Sequence, residues 1–314
     1  MKILVAGGFG FVGGRVAQAL AHAGHTPVLG SRVKRDSPHW LSQGEVRILD
    51  WASEASLRAA CEGVDAVVHA AGMNAAECMA KPVAALQANG VQSARLVAAA
   101  VAAGARRFFY FSTAHVYGSP LAGEIDETSC PRNLHPYATS HLAGEHALLH
   151  ALAQGAIRGS ALRLSNGFGA PAHAAADCWD LLVNDLCRQA LTQRKLVLRS
   201  SGAQLRDFIA LSTVCQDVHA LLSAPEDSLP AILNLASGQA ISVADMAGII
   251  AERCAVTLGF EPKIEFGSRM EAAAPLKIGS LHAEALGLEP ALGLVAEIDA
   301  LLAFCQRLHD KGGN

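Results

Sequence analysis

Residues 1–14 read MKILVAGGFGFVGG, an apolar run that leads directly into a cluster of glycines. Residues 3–6 are long enough for a strand buried on both faces. Glycines follow at positions 7, 8, 10, 13 and 14, and a helical pattern begins at Arg15. Glycine is needed where a strand turns sharply into a helix and where the backbone must approach a ligand. The stretch therefore predicts a strand, a turn and a helix whose first amides favour a pyrophosphate.

Two glycine patterns overlap in this turn. Gly8-x-Gly10-x-x-Gly13 is the dinucleotide-binding pattern, and Gly7-x-x-Gly10-x-x-Gly13 lies over it in a second register. Either pattern alone is a weak signal, but its place between a strand and a helix is the context that supports dinucleotide binding. The residues expected to contact the cofactor here are Gly7, Gly10, Phe11, Val12 and Gly13.

Length and composition limit the classes of protein to which the chain can belong. With 314 residues, 51% of them hydrophobic, the chain is expected to form one large α/β domain with a smaller lobe. A net charge of −3 without a basic run argues against nucleic acid as a partner. The first apolar run is too short for a signal peptide or a membrane span, so we expect a cytoplasmic protein without membrane contact. The eight cysteines and 13 histidines show no metal-site spacing, and no metal is expected.

Strands and helices alternate along the chain. Further strands are predicted at residues 26–30, 46–49, 66–70, 107–112, 161–164 and 231–235. Helices are predicted between them, the longest at residues 82–103 and 137–154. This alternation is typical of a doubly wound parallel sheet, the Rossmann fold, whose ligand lies beyond the carboxyl ends of the strands.

The loop after the second strand bears on the choice of cofactor. NAD-specific sites normally carry an acid there, whereas an arginine accommodates the 2′-phosphate of NADP. Ser31 stands where the acid is expected, Arg32 follows it, and Lys34 and Arg35 are close by in sequence. The loop therefore favours NADP, with NAD and a merely solvated basic loop as the alternatives.

Residues after the next two strands extend the predicted cofactor site. Asp50 and Trp51 follow the third strand and place a carboxylate near the adenine. After the fourth strand, Ala70, Ala71 and Gly72 let the backbone pass close to the nicotinamide ribose.

Candidate catalytic residues follow the fifth strand. The run STAHVYG, residues 112–118, leaves the Thr113 hydroxyl just past the predicted strand end. Tyr137 and His141 are four residues apart and therefore share one face of a helix. A tyrosine near a hydroxyl suits proton transfer at a carbonyl or alcohol oxygen while a hydride moves to nicotinamide.

Together these residues resemble the extended short-chain dehydrogenase/reductase family, the NAD(P)-dependent nucleotide-sugar epimerases, dehydratases and reductases. The resemblance covers most of the chain. Its marks, in family order, are GGFGFVG at 7–13, DAVVHAAG at 65–72, Asn89, FSTAHVYG at 111–118, Pro136-Tyr137, LRLSNGFGAP at 162–171, RDFI at 206–209 and NLASG at 234–238.

The resemblance implies roles for several residues. Thr113 is implied to polarise the substrate oxygen and Tyr137 to act as the acid/base. Asn166 and Arg206, with Arg269, are implied to hold the diphosphate of a nucleotide sugar.

The resemblance also implies the domain organisation. The dinucleotide-binding domain is expected at residues 1–167 and 205–240, and a substrate-binding lobe at 168–204 and 241–314. Helices in the lobe are predicted at 177–190, 243–255 and 294–308. A homodimer is expected, since two helices of the first domain form a dimer bundle in many relatives.

One position departs from the family motif Tyr-x-x-x-Lys, because His141 stands where the lysine belongs. That lysine bonds the nicotinamide ribose and, as a fixed cation, favours the tyrosinate. A histidine with an ordinary pKa near 6.5 is mostly neutral at pH 7, so its support of Tyr137 is weaker, although it can donate a hydrogen bond to the ribose. An enzyme working with histidine, a slowed enzyme and a non-catalytic dinucleotide-binding redox sensor remain open, and the presence of Thr113 and Tyr137 favours the first.

The residues after Thr113 narrow the reaction. Family dehydratases carry an acidic pair there, but this chain has Ala114 and His115, which disfavours dehydration. Epimerisation and net 4-keto reduction both remain open. His115 and His135 are interpreted as hydrogen-bonding loop residues rather than catalytic ones.

Overall fold

The structure, a computed structural model, describes residues 1–41, 44–269, 274–288 and 293–312. Its strands, in chain order, are β1 (Lys2–Ala6), β2 (Thr26–Ser31), β3 (Glu45–Ile48), β4 (Ala66–His69), β5 (Arg107–Thr113), β6 (Gly123–Ile125), β7 (Arg158–Leu164), β8 (Asn166–Phe168), β9 (Lys195–Val197), β10 (Leu205–Ala210), β11 (Ile232–Leu235), β12 (Ala240–Ser242), β13 (Lys263–Glu265) and β14 (Leu276–Ile278). Its α-helices are α1 (Phe11–His22), α2 (Glu54–Cys61), α3 (Ala75–Ala80), α4 (Pro82–Ala85), α5 (Gln92–Ala102), α6 (Pro136–Ala153), α7 (Leu182–Gln193), α8 (Leu211–Ser223), α9 (Val243–Leu258) and α10 (Leu294–Gly312).

Seven parallel strands form the central sheet in the order β11-β7-β5-β4-β1-β2-β3. Alternate residues of β1 enter different hydrophobic clusters, Ile3 and Val5 on one face and Leu4 and Ala6 on the other. A continuous apolar run is what a strand covered by helices on both faces requires. The strand order reverses at β1, which places the ligand crevice beyond its carboxyl end. The predicted doubly wound Rossmann sheet is confirmed.

Two predicted helices differ from the observed ones. The helix expected at residues 82–103 is interrupted by a π-helical turn, Leu86–Val91. Tertiary contacts hold this wider turn, because the Asn89 side chain donates to Ser140 Oγ at 3.0 Å and accepts from the Met73 amide at 2.8 Å. The helix expected at 177–190 begins only at Leu182, where Asn184 bonds the Gly169 backbone.

A second hydrophobic core lies in the C-terminal part of the chain, where α10 packs against α7 and α9. A buried ion pair connects it to the sheet domain. Arg15 of α1 donates to Glu297 of α10 at 2.8 Å and to the Ala170 carbonyl at 2.6 Å. Glu297 also accepts from the Ser212 amide at the start of α8, at 3.0 Å. Within the described ranges, every helix is too short or too polar to cross a membrane.

A second buried ion pair fixes helix α6 to the sheet. Glu145 of α6 is completely buried and accepts bidentate hydrogen bonds from the Arg163 guanidinium of β7, the shortest at 2.7 Å. Ser112 of β5 donates to the same carboxylate. The Arg163 guanidinium lies 4.8 Å from the Tyr117 ring centre, which adds a cation–π contact. These contacts set the position of α6, and with it the position of Tyr137 and His141.

We expect Glu145→Ala to lower the free energy of unfolding by about 3–5 kcal/mol, because it leaves the Arg163 cation buried without its partner. Urea unfolding followed by circular dichroism measures this loss. Arg106→Ala is the matched control, since its ion pair with Glu226 is exposed and contributes little. Equal losses in the two variants would contradict the prediction.

Candidate active site

The glycine turn has the geometry of a dinucleotide cradle. Gly7 has φ +85°, and a Cβ there would lie 2.8 Å from the Ala70 backbone, while a Cβ on Gly13 would collide with the Gly7 carbonyl. The Gly10 amide donates to that same carbonyl at 2.8 Å. Gly10 caps α1 without a side-chain hydrogen bond, so the first amides of the helix are open to an anion. The backbone thus fits a dinucleotide in the register Gly7-x-x-Gly10-x-x-Gly13.

A cavity of about 450 Å³ lies beside this turn. One wall carries predicted cofactor and catalytic residues: Phe11, Val12, Ala70, Ala71, Gly72, Tyr137 and His141. The segment before α7 also lines the cavity, with Asp177, Cys178 and Leu181. The structure therefore brings the glycine turn, the end of β4 and the face of α6 together around one space.

The residues predicted for the adenosine end lie outside this cavity. The Ser31 side chain is buried and accepts from the Val33 amide at 3.3 Å, whereas Arg32 is exposed. Asp50 is exposed, and the Trp51 ring lies 5.9 Å from the ring of His69.

An additional cation lies against the glycine turn. The Arg35 guanidinium lies 5.0 Å from the ring centre of Phe9, a residue of the turn itself. The sequence singled out Arg32 as the phosphate ligand and treated Arg35 only as a neighbour. The signal for Arg35 was its place in a short basic run, but only the fold brings that run to Phe9.

Thr113 and Tyr137 meet at the carboxyl end of the sheet. Thr113 is the last residue of β5 rather than lying just past it. Its Oγ1 accepts from the His115 amide at 3.1 Å, and the hydroxyl lies near enough to Tyr137 to lower the pKa of that tyrosine. Burial raises the pKa of Tyr137, and the hydrogen bond from Thr113 opposes that rise. The pair has the contact that proton transfer at a substrate oxygen requires.

His141 lies one helical turn after Tyr137 on the same face of α6, as the four-residue spacing predicts. The two ring centres are 4.6 Å apart. Burial lowers the pKa of His141 to about 4. The expectation of an ordinary pKa near 6.5 is therefore wrong, because the ring, although it lines the cavity, is almost completely buried. His141 is neutral across the physiological range.

The predicted diphosphate residues divide into two groups. Asn166 donates to the Asp207 carbonyl at 2.8 Å, and Arg206 donates to Gln204 at 2.8 Å. His115 lies near them, since burial and the nearby charge of Arg206 lower its pKa, and Asn166 opposes that shift. Arg269 instead is exposed, in a backbone bridge with Ser200.

His115 is the residue that the sequence reasoning set aside. The available signal was its position two residues after Thr113, where family dehydratases carry an acid. Among the residues that the structure describes, no group of three or more His, Cys, Asp or Glu side chains is placed to hold a metal ion.

Comparison with known proteins agrees with this geometry. The profile of the NAD dependent epimerase/dehydratase family matches residues 3–236. A dTDP-6-deoxy-L-talose 4-dehydrogenase (NAD(P)(+)) of Kitasatospora kifunensis is 31% identical over 267 residues, 81% of this chain and 80% of that protein. A UDP-glucose 4-epimerase of Rhizobium leguminosarum bv. trifolii is 27% identical over 265 residues, 80% of this chain and 81% of that protein.

A solved structure extends the similarity over almost the whole chain. MoeE5, solved in complex with UDP-glucuronic acid and NAD, has a TM-score of 0.81 at 26% identity and covers 98% of this chain and 100% of its own. The parallel sheet, the glycine turn and the Thr113–Tyr137 pair are consistent with these matches. The chain belongs to the NAD dependent epimerase/dehydratase family and is an NAD(P)-dependent enzyme of the extended short-chain dehydrogenase/reductase type.

Proposed function

We propose that the protein is a nucleotide-sugar epimerase or 4-keto reductase that transfers a hydride at a sugar carbon. The observation that carries this proposal is that Tyr137, with the Thr113 hydroxyl beside it, lines a cavity that begins at the glycine turn. The names of the relatives, a sugar-nucleotide 4-dehydrogenase and a 4-epimerase, support the same substrate class.

Two residues carry the proton chemistry. A nicotinamide dinucleotide held at the glycine turn would supply the group that accepts or donates the hydride. Tyr137 takes the proton from the reacting sugar hydroxyl and returns it to the carbonyl oxygen in the reverse step. Thr113 can turn its hydroxyl proton from Tyr137 to the substrate oxygen, because its own oxygen is already held by the His115 amide. Dehydration is not proposed, because Ala114 carries no acidic group and burial lowers the pKa of His115, which favours its uncharged form.

We assign substrate binding to the lobe formed by residues 168–204 and 241–314, and dinucleotide binding to residues 1–167 and 205–240. Asn166 and Arg206 are proposed to bind the diphosphate of the nucleotide sugar. Their common neighbour His115 supports this assignment, since the three side chains form one polar patch. Arg269 is retained as a third ligand that reaches the diphosphate from the lobe.

The cofactor is proposed to be NADP, with NAD as the alternative. Arg35 supplies a cation next to the glycine turn, Arg32 is an exposed cation directly after β2, and Ser31 contributes no negative charge that would repel a 2′-phosphate. Asp50 and Trp51 are proposed to contact the adenine. The ribose next to nicotinamide is proposed to lie against Ala70, Ala71 and Gly72.

A homodimer is proposed on the basis of exposed apolar side chains. Met79, Val83 and Leu86 follow one another along α3, α4 and the π-helical turn with 58%, 83% and 50% of their surface exposed. Such a row of apolar groups marks a contact surface.

The eight unpaired cysteines support a reducing compartment, the cytoplasm. The alternative of an impaired redox sensor is not favoured, because the Thr113–Tyr137 contact has no use in a sensor.

Tyr137→Phe is expected to lower kcat/KM by about 10²- to 10⁴-fold, because the variant lacks the group that moves the proton. The wild type is first screened with UDP-, GDP- and dTDP-sugars in the presence of NAD or NADPH. An epimerase interconverts sugars without net change in the absorbance of reduced nicotinamide, whereas a reductase consumes it.

The control for this variant is Tyr117→Phe, which removes a buried tyrosine hydroxyl bonded to Asn234 instead. Mass spectrometry of the purified proteins checks that dinucleotide binding is kept. Full activity of Tyr137→Phe, or no turnover and no binding of any nucleotide sugar at millimolar concentration by the wild type, would refute the proposed function.

Arg35→Ala and Arg32→Ala are expected to weaken NADP binding by about ten-fold each, the effect of one charge-assisted hydrogen bond, and to leave NAD binding unchanged. Quenching of intrinsic fluorescence during titration measures both dissociation constants. The two cofactors serve as controls for each other, since only NADP carries the 2′-phosphate. Equal weakening for NAD and NADP, or tight retention of NAD by the purified wild type, would speak against NADP.

His141→Lys is expected to retain or raise activity and to shift the pH profile of kcat. Because His141 is neutral and burial raises the pKa of Tyr137, the wild-type rate rises with pH as Tyr137 loses its proton. The introduced ammonium attracts the tyrosinate and lowers the pKa of Tyr137, so the rising limb moves to lower pH. Steady-state rates over a pH series measure this. Loss of activity with dinucleotide binding intact would contradict the prediction.

A further inference from the structure

A chain of three buried polar groups runs from the π-helical turn to the active-site cavity. The Tyr110 hydroxyl on β5 lies 3.1 Å from the Asn89 carbonyl oxygen and 2.9 Å from His141 Nδ1. Tyr110 is 1% exposed, Asn89 0% and His141 6%. Water is largely excluded here, so hydrogen bonds form among these groups and the neighbouring Ser93 hydroxyl, which also acts on Tyr110.

The number of protons available to these three hydrogen-bonded groups determines the tautomer of His141. The Asn89 carbonyl can only accept, so the single Tyr110 proton is donated to it. The Tyr110 oxygen then faces His141 Nδ1 with a lone pair. A neutral histidine has one ring proton, and it must sit on Nδ1 to complete this contact. The other nitrogen, Nε2, therefore carries a lone pair and accepts hydrogen bonds.

The groups around His141 keep the ring neutral. On β5 and α6 it faces Tyr110 and Tyr137, whose pKa values are both raised by burial. On β4 lies His69, whose pKa burial lowers to about 3, and its Nε2 bonds Ser93 at 2.9 Å. Each of these groups is uncharged at neutral pH, so none would stabilise an imidazolium.

Close packing of α6 against β5 holds these three hydrogen-bonded groups in place. A Cβ on Gly144 would lie 2.6 Å from the Tyr110 hydroxyl, so helix and strand approach one another more closely than any other residue permits. The Cε1 atom of His141, between the two ring nitrogens, is the ring atom nearest to Gly72 in the cavity wall. Within the described residues Nε2 has no protein partner, and it remains available on the cavity side.

We propose that the Asn89 carbonyl and the Tyr110 hydroxyl fix His141 as the Nδ1–H tautomer, so that Nε2 accepts a hydrogen bond from a hydroxyl of the nicotinamide ribose. The polarity of this contact is the reverse of the one a lysine makes, since here the ribose is the donor. Tyr110 is a positioning residue that acts through His141. The inference rests on the proposed function only in taking a nicotinamide dinucleotide as the ligand.

The tautomer can be read directly in the protein without cofactor. Two-bond nitrogen–proton NMR spectra of protein labelled with ¹⁵N-histidine distinguish Nδ1–H from Nε2–H, and His141→Gln identifies the resonances by their loss. We expect a protonated Nδ1 and an unprotonated Nε2 at neutral pH. In Tyr110→Phe the proton is expected to move toward Nε2, whereas the control Tyr117→Phe leaves the spectrum of His141 unchanged.

Addition of NAD gives the second readout. The wild-type Nε2 resonance is expected to shift as it accepts a hydrogen bond, and Tyr110→Phe is expected to weaken NAD binding by about five-fold, the effect of one neutral hydrogen bond. Should Tyr110→Phe fail to fold, the wild-type spectra alone still test the tautomer and its response to NAD.

An Nε2–H tautomer in the wild type, or an Nε2 resonance that does not respond to bound NAD, would overturn the proposal. Unchanged NAD affinity in a folded Tyr110→Phe variant would do the same. The nucleotide-sugar screen is independent of these results. A correct tautomer in a protein that turns over no sugar would refute the proposed function alone, and the wrong tautomer in an active epimerase would refute this inference alone.

Discussion

The buried ion pair between Glu145 and Arg163 is the contact on which the geometry of the site depends. A carboxylate without access to water is tolerated only when its oxygens are fully bonded, and here a guanidinium and the Ser112 hydroxyl satisfy them. The three partners come from α6, β7 and β5, so the pair aligns one helix with two strands. The face of α6 that carries Tyr137 and His141 is thereby held over the end of β5, where Thr113 lies.

Local patterns in the sequence predicted the fold and much of the site. The glycine turn, the alternation of elements and the spacing of Tyr137 and His141 depend on neighbours within a few residues, which a pattern can represent. The π-helical turn at Leu86–Val91 could not be predicted, because Ser140 and Met73 hold it from distant parts of the chain. Tyr110 was missed for a related reason, since a tyrosine within the aromatic run of β5 is indistinguishable in sequence from an ordinary core residue.

A histidine in place of the family lysine changes the electrostatics next to Tyr137. A buried ammonium carries a large desolvation cost, which is offset when it stabilises a tyrosinate. The neutral Tyr110–His141 pair avoids that cost and satisfies its own hydrogen bonds, but it supplies no charge to Tyr137. The consequence is a site in which burial has the largest effect on the proton affinity of Tyr137, and the Thr113 hydroxyl opposes it.

The Arg15–Glu297 pair has a mechanical consequence. Arg15 belongs to the helix whose first amides face the cofactor, and Glu297 belongs to the last helix of the C-terminal lobe. A hinge between the two parts would have to break this buried pair and the amide contacts that Glu297 makes on either side. Relative movement of the glycine turn and the C-terminal lobe would cost these hydrogen bonds, so we expect a ligand to enter past side chains and loops at the rim of the cavity rather than by the opening of a cleft.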